Sequence, residues 1–172
     1  MNFDFVYLGQ TVLKYRVPLE VFNYLQKLYQ VQKKNLPKAN KQLVGKIKDE
    51  VSLFYGGQDS EKMHRHNFIS QDILKWFYST FKHYLDWNKI NEYNMNINSI
   101  WVNEMKAHEY NPVHIHQGML YTGLSSVMIM NLPKDTGVEY SAESKPMNGR
   151  LQIIGASAGQ FAKTDYSPDM KL

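Results

Sequence analysis

Four of the six histidines in this cysteine-free chain fall in two pairs at alternate positions, His64-Arg65-His66 and His114-Ile115-His116. In an extended strand successive side chains point to opposite faces, so His114 and His116 project to one side while Val113 and Ile115 project to the other. Neutral imidazole is the side chain best suited to a transition metal near neutral pH, and two on one face can converge on one ion. Pro112 holds Asn111 out of the helical region and starts the run in an extended state. On spacing alone the pair reads equally as metal ligands and as two residues that share a strand surface. The earlier pair stands among Lys62, Arg65 and Asn67 and reads as a solvated loop or helix start.

Without cysteine there are no disulfides, thiolate sites or thiol nucleophiles, so any metal must sit on nitrogen and oxygen. Glu104 and Glu109 are the nearby carboxylates that would turn two histidines into a zinc site, and spacing alone does not separate zinc from iron. A cupin would carry a Glu shortly after the second histidine, where this chain has Met119, Leu120, Tyr121 and Thr122. Amidohydrolases also open with His-x-His but need a barrel of about 250 residues. A nucleophile elbow and a phosphate-binding Gly-rich loop are both missing from the sequence.

The elements that must position these groups change character along the chain. Phe3, Phe5 and Tyr7 suit a short opening strand. From Pro18, well placed at the start of a helix, Leu19, Phe22, Leu25, Leu28 and Tyr29 recur at helical spacing. Leu43, Ile47, Val51 and Phe54 predict a second helix closed by Gly56-Gly57, and Ser70 caps a third carrying Ile73, Leu74, Phe77, Phe81, Tyr84 and Leu85. After about residue 94 the period becomes two: Met95 to Met105 with Trp101 in the core, then Leu124 to Met130, then Leu151 and Ile153 after Asn148-Gly149. The tail beyond Gly155 is weakly patterned. Helices first and strands later give an α+β fold, a single domain over 1–172 with a helical buttress over 1–94 and antiparallel β structure over 95–172.

At 172 residues with 43% hydrophobic content the chain can bury one sizeable core. No window is apolar enough to span a membrane and Met1-Asn2-Phe3-Asp4 does not open a signal peptide, so a soluble, cytoplasmic protein is expected. Residues 1–50 hold nine Lys and Arg against four Asp and Glu, with Lys33, Lys34, Lys38 and Lys41 clustered. That cluster reads as a solvated loop between helices rather than a nucleic-acid surface, which needs denser charge on one face.

A wider pattern surrounds the second histidine pair. Ser99-Ile100-Trp101-Val102-Asn103, Asn111-Pro112-Val113-His114-Ile115-His116 and Leu124-Ser125-Ser126-Val127-Met128-Ile129-Met130-Asn131-Leu132-Pro133 together resemble the front half of the iron(II)/2-oxoglutarate-dependent dioxygenase domain. The group most similar is a small one common in marine phages and bacteria; the predicted helix of Leu43 to Glu50 looks like that group too. The resemblance covers roughly residues 15 to 133. It implies a double-stranded β-helix (jelly roll), iron(II) on His114 and His116, 2-oxoglutarate as co-substrate with Asn103 and Tyr121 at its site, and hydroxylation of a substrate C–H bond.

Two departures shape that expectation. The superfamily has a carboxylate at the position of His116 and a distal histidine followed by Arg or Lys on a late strand; no histidine follows His116 here. The third ligand would then come from His108, from a second subunit in a homo-oligomer, or from a C-terminal part beyond Leu172. The competing expectation is a non-catalytic jelly-roll binding or assembly module, of viral type, that keeps the framework without turnover.

Overall fold

The computed structural model describes residues 11–40, 45–57, 61–114, 123–134, 137, 151–157 and 160–166. The opening strand expected at Phe3 to Tyr7 lies outside them, as do His116 and Tyr121. By internal contacts the chain forms two compact units, Tyr15–Val127 and Met1–Lys14 with Met128–Leu172.

The larger unit begins with helix α1, Leu19–Gln32. Pro18 precedes it with φ of −56°, already helical in that angle, and its carbonyl accepts the first helical hydrogen bond from the Phe22 N–H. Proline thus stands one place earlier than the first helical position expected for it. Val21 and Leu25 are the buried residues of α1, and Pro37 follows soon after its end. A second helix, α2, spans Gln71–Trp87 as the sequence pattern predicts, with the Ser70 hydroxyl accepting from the Ile73 N–H and Ile73, Leu74 and Leu85 buried. Its end has no glycine. Lys89 takes the left-handed conformation, φ 57°, while the Lys89 and Ile90 N–H groups donate back to Asp86 and Leu85. That closure satisfies carbonyls that the helix itself leaves open.

Between the helices the chain is extended, not helical. Strand β1, Asp49–Tyr55, occupies the centre of a three-stranded antiparallel sheet, flanked by β2, His66–Asn67, and β3, Ser99–Glu104. The helix expected over Leu43 to Phe54 is therefore a correction, and the reason is burial on both faces. Glu50, Val51, Ser52 and Leu53 are all 3% exposed or less, so the run shows no two-residue alternation, and four apolar positions fell at helical spacing by coincidence. Val51, Phe54 and Tyr55 are residue types that suit a strand. The ladder pairs Asp49 with Glu104, Glu50 with Asn103, Val51 with Val102 and Ser52 with Trp101, then shifts so that Leu53 is the extra residue of a bulge.

The helices-then-strands division at residue 94 also gives way, since β1 and β2 lie between α1 and α2. His66 is a strand residue, not a loop residue: one ring nitrogen lies 2.8 Å from the Ser52 hydroxyl and the other 2.8 Å from the His64 carbonyl. Residues 123–134 belong to no strand among the described residues, against the strand expected over Leu124 to Met130. Leu124, Val127 and Ile129 are exposed there.

In the smaller unit, β4, Leu151–Ser157, pairs with β5, Gln160–Tyr166, as an antiparallel hairpin in unbroken register from Leu151↔Tyr166 to Ser157↔Gln160. The strand opening at Leu151 is as expected. Within the tail beyond Gly155, read as weakly patterned, residues 156–157 and 160–166 belong to these two strands. The architecture described is thus α+β with antiparallel sheets.

Candidate functional site

Two places carry chemistry, the loop that holds His114 and a cavity beside β1. The loop starts from a short bridge in which the Lys46 N–H donates to the Tyr110 carbonyl at 2.9 Å and the Tyr110 N–H to the Lys46 carbonyl at 3.3 Å. Gly45 makes that approach possible. Its φ is +131°, and a Cβ there would stand 2.9 Å from the Tyr110 carbonyl oxygen. Four residues later His114 is exposed, with Nδ1 2.7 Å from the Pro112 carbonyl oxygen. A carbonyl only accepts, so Nδ1 carries the proton and the neutral ring has its lone pair at Nε2. Metal-binding histidines are commonly oriented in this way, with the far ring nitrogen donating to a backbone carbonyl.

The other residues named for a metal stand apart. Glu104 is committed to α1: it accepts from the Tyr29 hydroxyl and, at 3.0 Å, from the Lys33 ammonium. These bonds hold its carboxyl below the usual range, the tyrosine's more than the lysine's. Glu109 accepts the backbone N–H groups of Lys48 at 3.0 Å and Lys106 at 2.9 Å, which fixes the turn that leads into the bridge. His108 sits in that turn in the left-handed region, φ 65°, and is exposed. Among the described residues no three His, Asp or Glu side chains gather closely enough to hold a metal ion. His114 fits a ligand role by its ring polarity, and His116, its expected partner, is outside the described residues.

The lysine cluster is partly spent inside the protein. Lys33 pairs with Glu104, and Lys38 lies 3.5 Å from Asp49, which Lys106 also holds at 2.6 Å. This agrees with a loop whose charge is balanced by neighbouring strands.

Asn103 has a sharper environment than the sequence suggests. It lies directly across the ladder from Glu50, and side chains opposite each other on antiparallel strands share a face with Cβ atoms about 5 Å apart. Asn103 Oδ1 and Glu50 Oε1 are both shielded from solvent and lack a hydrogen-bond partner. Glu50 Oε2 accepts from the Asn40 amide at 3.1 Å. Asn40 is brought there because the Ala39 N–H bonds to the Glu50 carbonyl, docking residues 37–39 along β1. Burial raises the Glu50 carboxyl above its ordinary value, and the neighbouring Glu109 carboxylate raises it further. A cavity of about 310 Å³ opens beside it, lined by Asn40, Gly45, Lys46, Ile47, Lys48, Glu50 and Glu109.

No local pattern singles out Glu50. Two adjacent acids, Asp49 and Glu50, ahead of an apolar run read as a helix or strand end, and only the β1–β3 register places Glu50 opposite Asn103. Its titration has a definite sign. A carboxyl whose folded value lies above the unfolded one binds its proton more tightly when folded, so it favours the fold at low pH, and that contribution is lost as pH rises from about 4.5 through the raised value. Glu50→Gln is expected to abolish this part of the decline and to be more stable than the parent at pH 8, with the gap closing at pH 4. Denaturant midpoints at the two pH values check it; a gap that is the same at both would mean that Glu50 titrates normally.

No protein-family model, no curated protein and no solved structure matches this chain, so what it does must be argued from its own residues and their geometry.

Proposed function

We propose that the chain is an iron(II)- and 2-oxoglutarate-dependent oxygenase built on a double-stranded β-helix, with His114 and His116 as iron ligands. The observation that supports it best is the His114 ring, whose Nδ1 is turned onto the Pro112 carbonyl, the orientation common among metal-binding histidines. Bound iron with 2-oxoglutarate and oxygen would supply an oxidant for a substrate C–H bond, yielding succinate and carbon dioxide. The chain's own part is positional. Pro112 fixes the first imidazole, the Lys46–Tyr110 bridge anchors the loop that carries it, and alternation along an extended backbone would bring His116 to the same side. Asn103 has an amide that can donate to a carboxylate of the co-substrate, and Tyr121 is assigned to the mouth of the site.

The test is anaerobic titration of the full chain with ferrous iron and 2-oxoglutarate, followed by exposure to oxygen. The expected results are a visible metal-to-ligand charge-transfer band, succinate release on oxygenation, and loss of both in His114→Ala with an unchanged circular dichroism spectrum. Because His114 is exposed, that variant should fold. Neither band nor succinate from the parent chain would overturn the oxygenase reading and leave the non-catalytic binding or assembly module.

A further inference from the structure

We propose that the cavity beside β1 binds a free α-amino acid with a small side chain, its ammonium held by Glu50 and its carboxylate by Lys46 and Lys48. The inference is independent of iron and of the oxygenase reading. It starts from an unmet requirement: Glu50 is 3% exposed, lines the cavity, and has one carboxylate oxygen without a donor. A buried acceptor left unpaired is costly, and more so when it is charged. Across the ladder Asn103 Oδ1 has the same deficit. An ammonium brings three donors and a positive charge, and so answers the unpaired carboxylate oxygen of Glu50.

The rim has the opposite character. Lys46 and Lys48 are exposed, and among the described residues neither is in an ion pair. Glu109, the second acid of the lining, already accepts two backbone N–H groups. The lining therefore offers a negative floor, a positive rim and two charges of each sign. A bare metal cation would have to pass two ammonium groups and would find few uncommitted oxygens, whereas a zwitterion matches both ends. The volume of about 310 Å³ is at the small end of ligand-binding cavities, about 300–1,000 Å³. Gly45 and the buried Ile47 leave the wall beside the charged groups uncrowded and apolar, which suits a short side chain.

Isothermal titration calorimetry of the full chain at pH 8, without iron or 2-oxoglutarate, tests it using glycine, L-alanine, L-serine and L-valine. Ethylamine and propionate serve as the two halves of alanine. The expected result is saturable binding of at least one of the four amino acids, and for alanine at least tenfold weaker binding of either half. Glu50→Gln should weaken the amino acid at least tenfold, and the surface variants Lys46→Met and Lys48→Met should weaken it without weakening ethylamine. Binding of ethylamine as tight as that of alanine, indifference to Glu50→Gln, or no binding of any of the four overturns the proposal. The oxygenase reading would be untouched by each of these, since its charge-transfer band depends on His114 and not on this cavity.

Discussion

Leu53→Ala is expected to lower the unfolding free energy by about 2–5 kcal/mol, the range for removing a buried leucine side chain and leaving part of its volume empty. Leu53 is 2% exposed, among the most deeply buried side chains described, and it stands at the bulge of the central strand of its sheet. Its carbonyl accepts the Phe68 N–H at 2.9 Å, so the residue also ties β1 to the chain just after β2. Strands on both sides limit how far the neighbours can close on the void. Since small domains are held by roughly 5–15 kcal/mol, the variant should lose a large part of its stability. Leu19, 70% exposed at the start of α1, is the control: Leu19→Ala should change stability by less than about 0.5 kcal/mol. Urea denaturation of both variants with unchanged slopes measures this. Equal losses in the two would mean that β1 is not the centre of the core.

The same strand explains what could and could not be seen in the sequence. The two helices were legible because each buries one stripe and exposes the rest: Val21 and Leu25 in α1, Ile73, Leu74 and Leu85 in α2, with Pro18 and Ser70 marking the starts. β3 was legible by alternation around Trp101 and Asn103. β1 was not, because a strand covered on both faces carries no period, and Leu43, Ile47, Val51 and Phe54 imitate a helix. β5 was missed for a different reason. Phe161, Lys163 and Asp165 alternate with Gln160, Ala162, Thr164 and Tyr166, so neither set is uniformly apolar, and what defines the strand is its register with β4.

For the candidate sites the division follows residue chemistry. His114 announces itself by type, and Pro112 both sets the backbone and supplies the carbonyl for its ring. Asn103 is legible as a polar residue in an apolar strand, and its shielded Oδ1 opposite Glu50 gives it a neighbour that no local pattern indicates. Glu50, Asn40 and Gly45 lie within a dozen residues of one another in sequence, yet their relation appears only when residues 37–39 dock on β1 and residue 46 meets residue 110. Long-range hydrogen bonds of this kind depend on register, and register is not written in any short window.

Gly45→Ala is expected to cost about 1–3 kcal/mol, the usual magnitude for holding a side chain in a backbone region meant for glycine. Two effects act together there. With φ at +131° the backbone is unfavourable for any L side chain, and the new methyl would meet the Tyr110 carbonyl oxygen at 2.9 Å and Asn111 Cα at 3.4 Å. These obstacles are mainly backbone, which cannot rotate away as a flexible side chain would. Relief requires opening the Lys46–Tyr110 bridge, so the Lys46 and Tyr110 amides should exchange hydrogen faster than in the parent, while the Leu25 and Leu74 amides keep their relative protection. Gly123→Ala is the counterpart: a Cβ there meets nothing within 4 Å and its φ is not in the glycine region, so restricting the unfolded chain should leave stability unchanged or raise it by up to about 1 kcal/mol. Because Gly45 and Lys46 form one wall of the Glu50 cavity and Tyr110 leads to His114, Gly45→Ala should weaken both amino-acid binding and the charge-transfer band, through displacement rather than loss of a contacting group. Unchanged protection at Lys46 and Tyr110 in this variant would show that the bridge does not hold the two segments together, and the common anchor of both sites would have to be sought in the turn fixed by Glu109 instead.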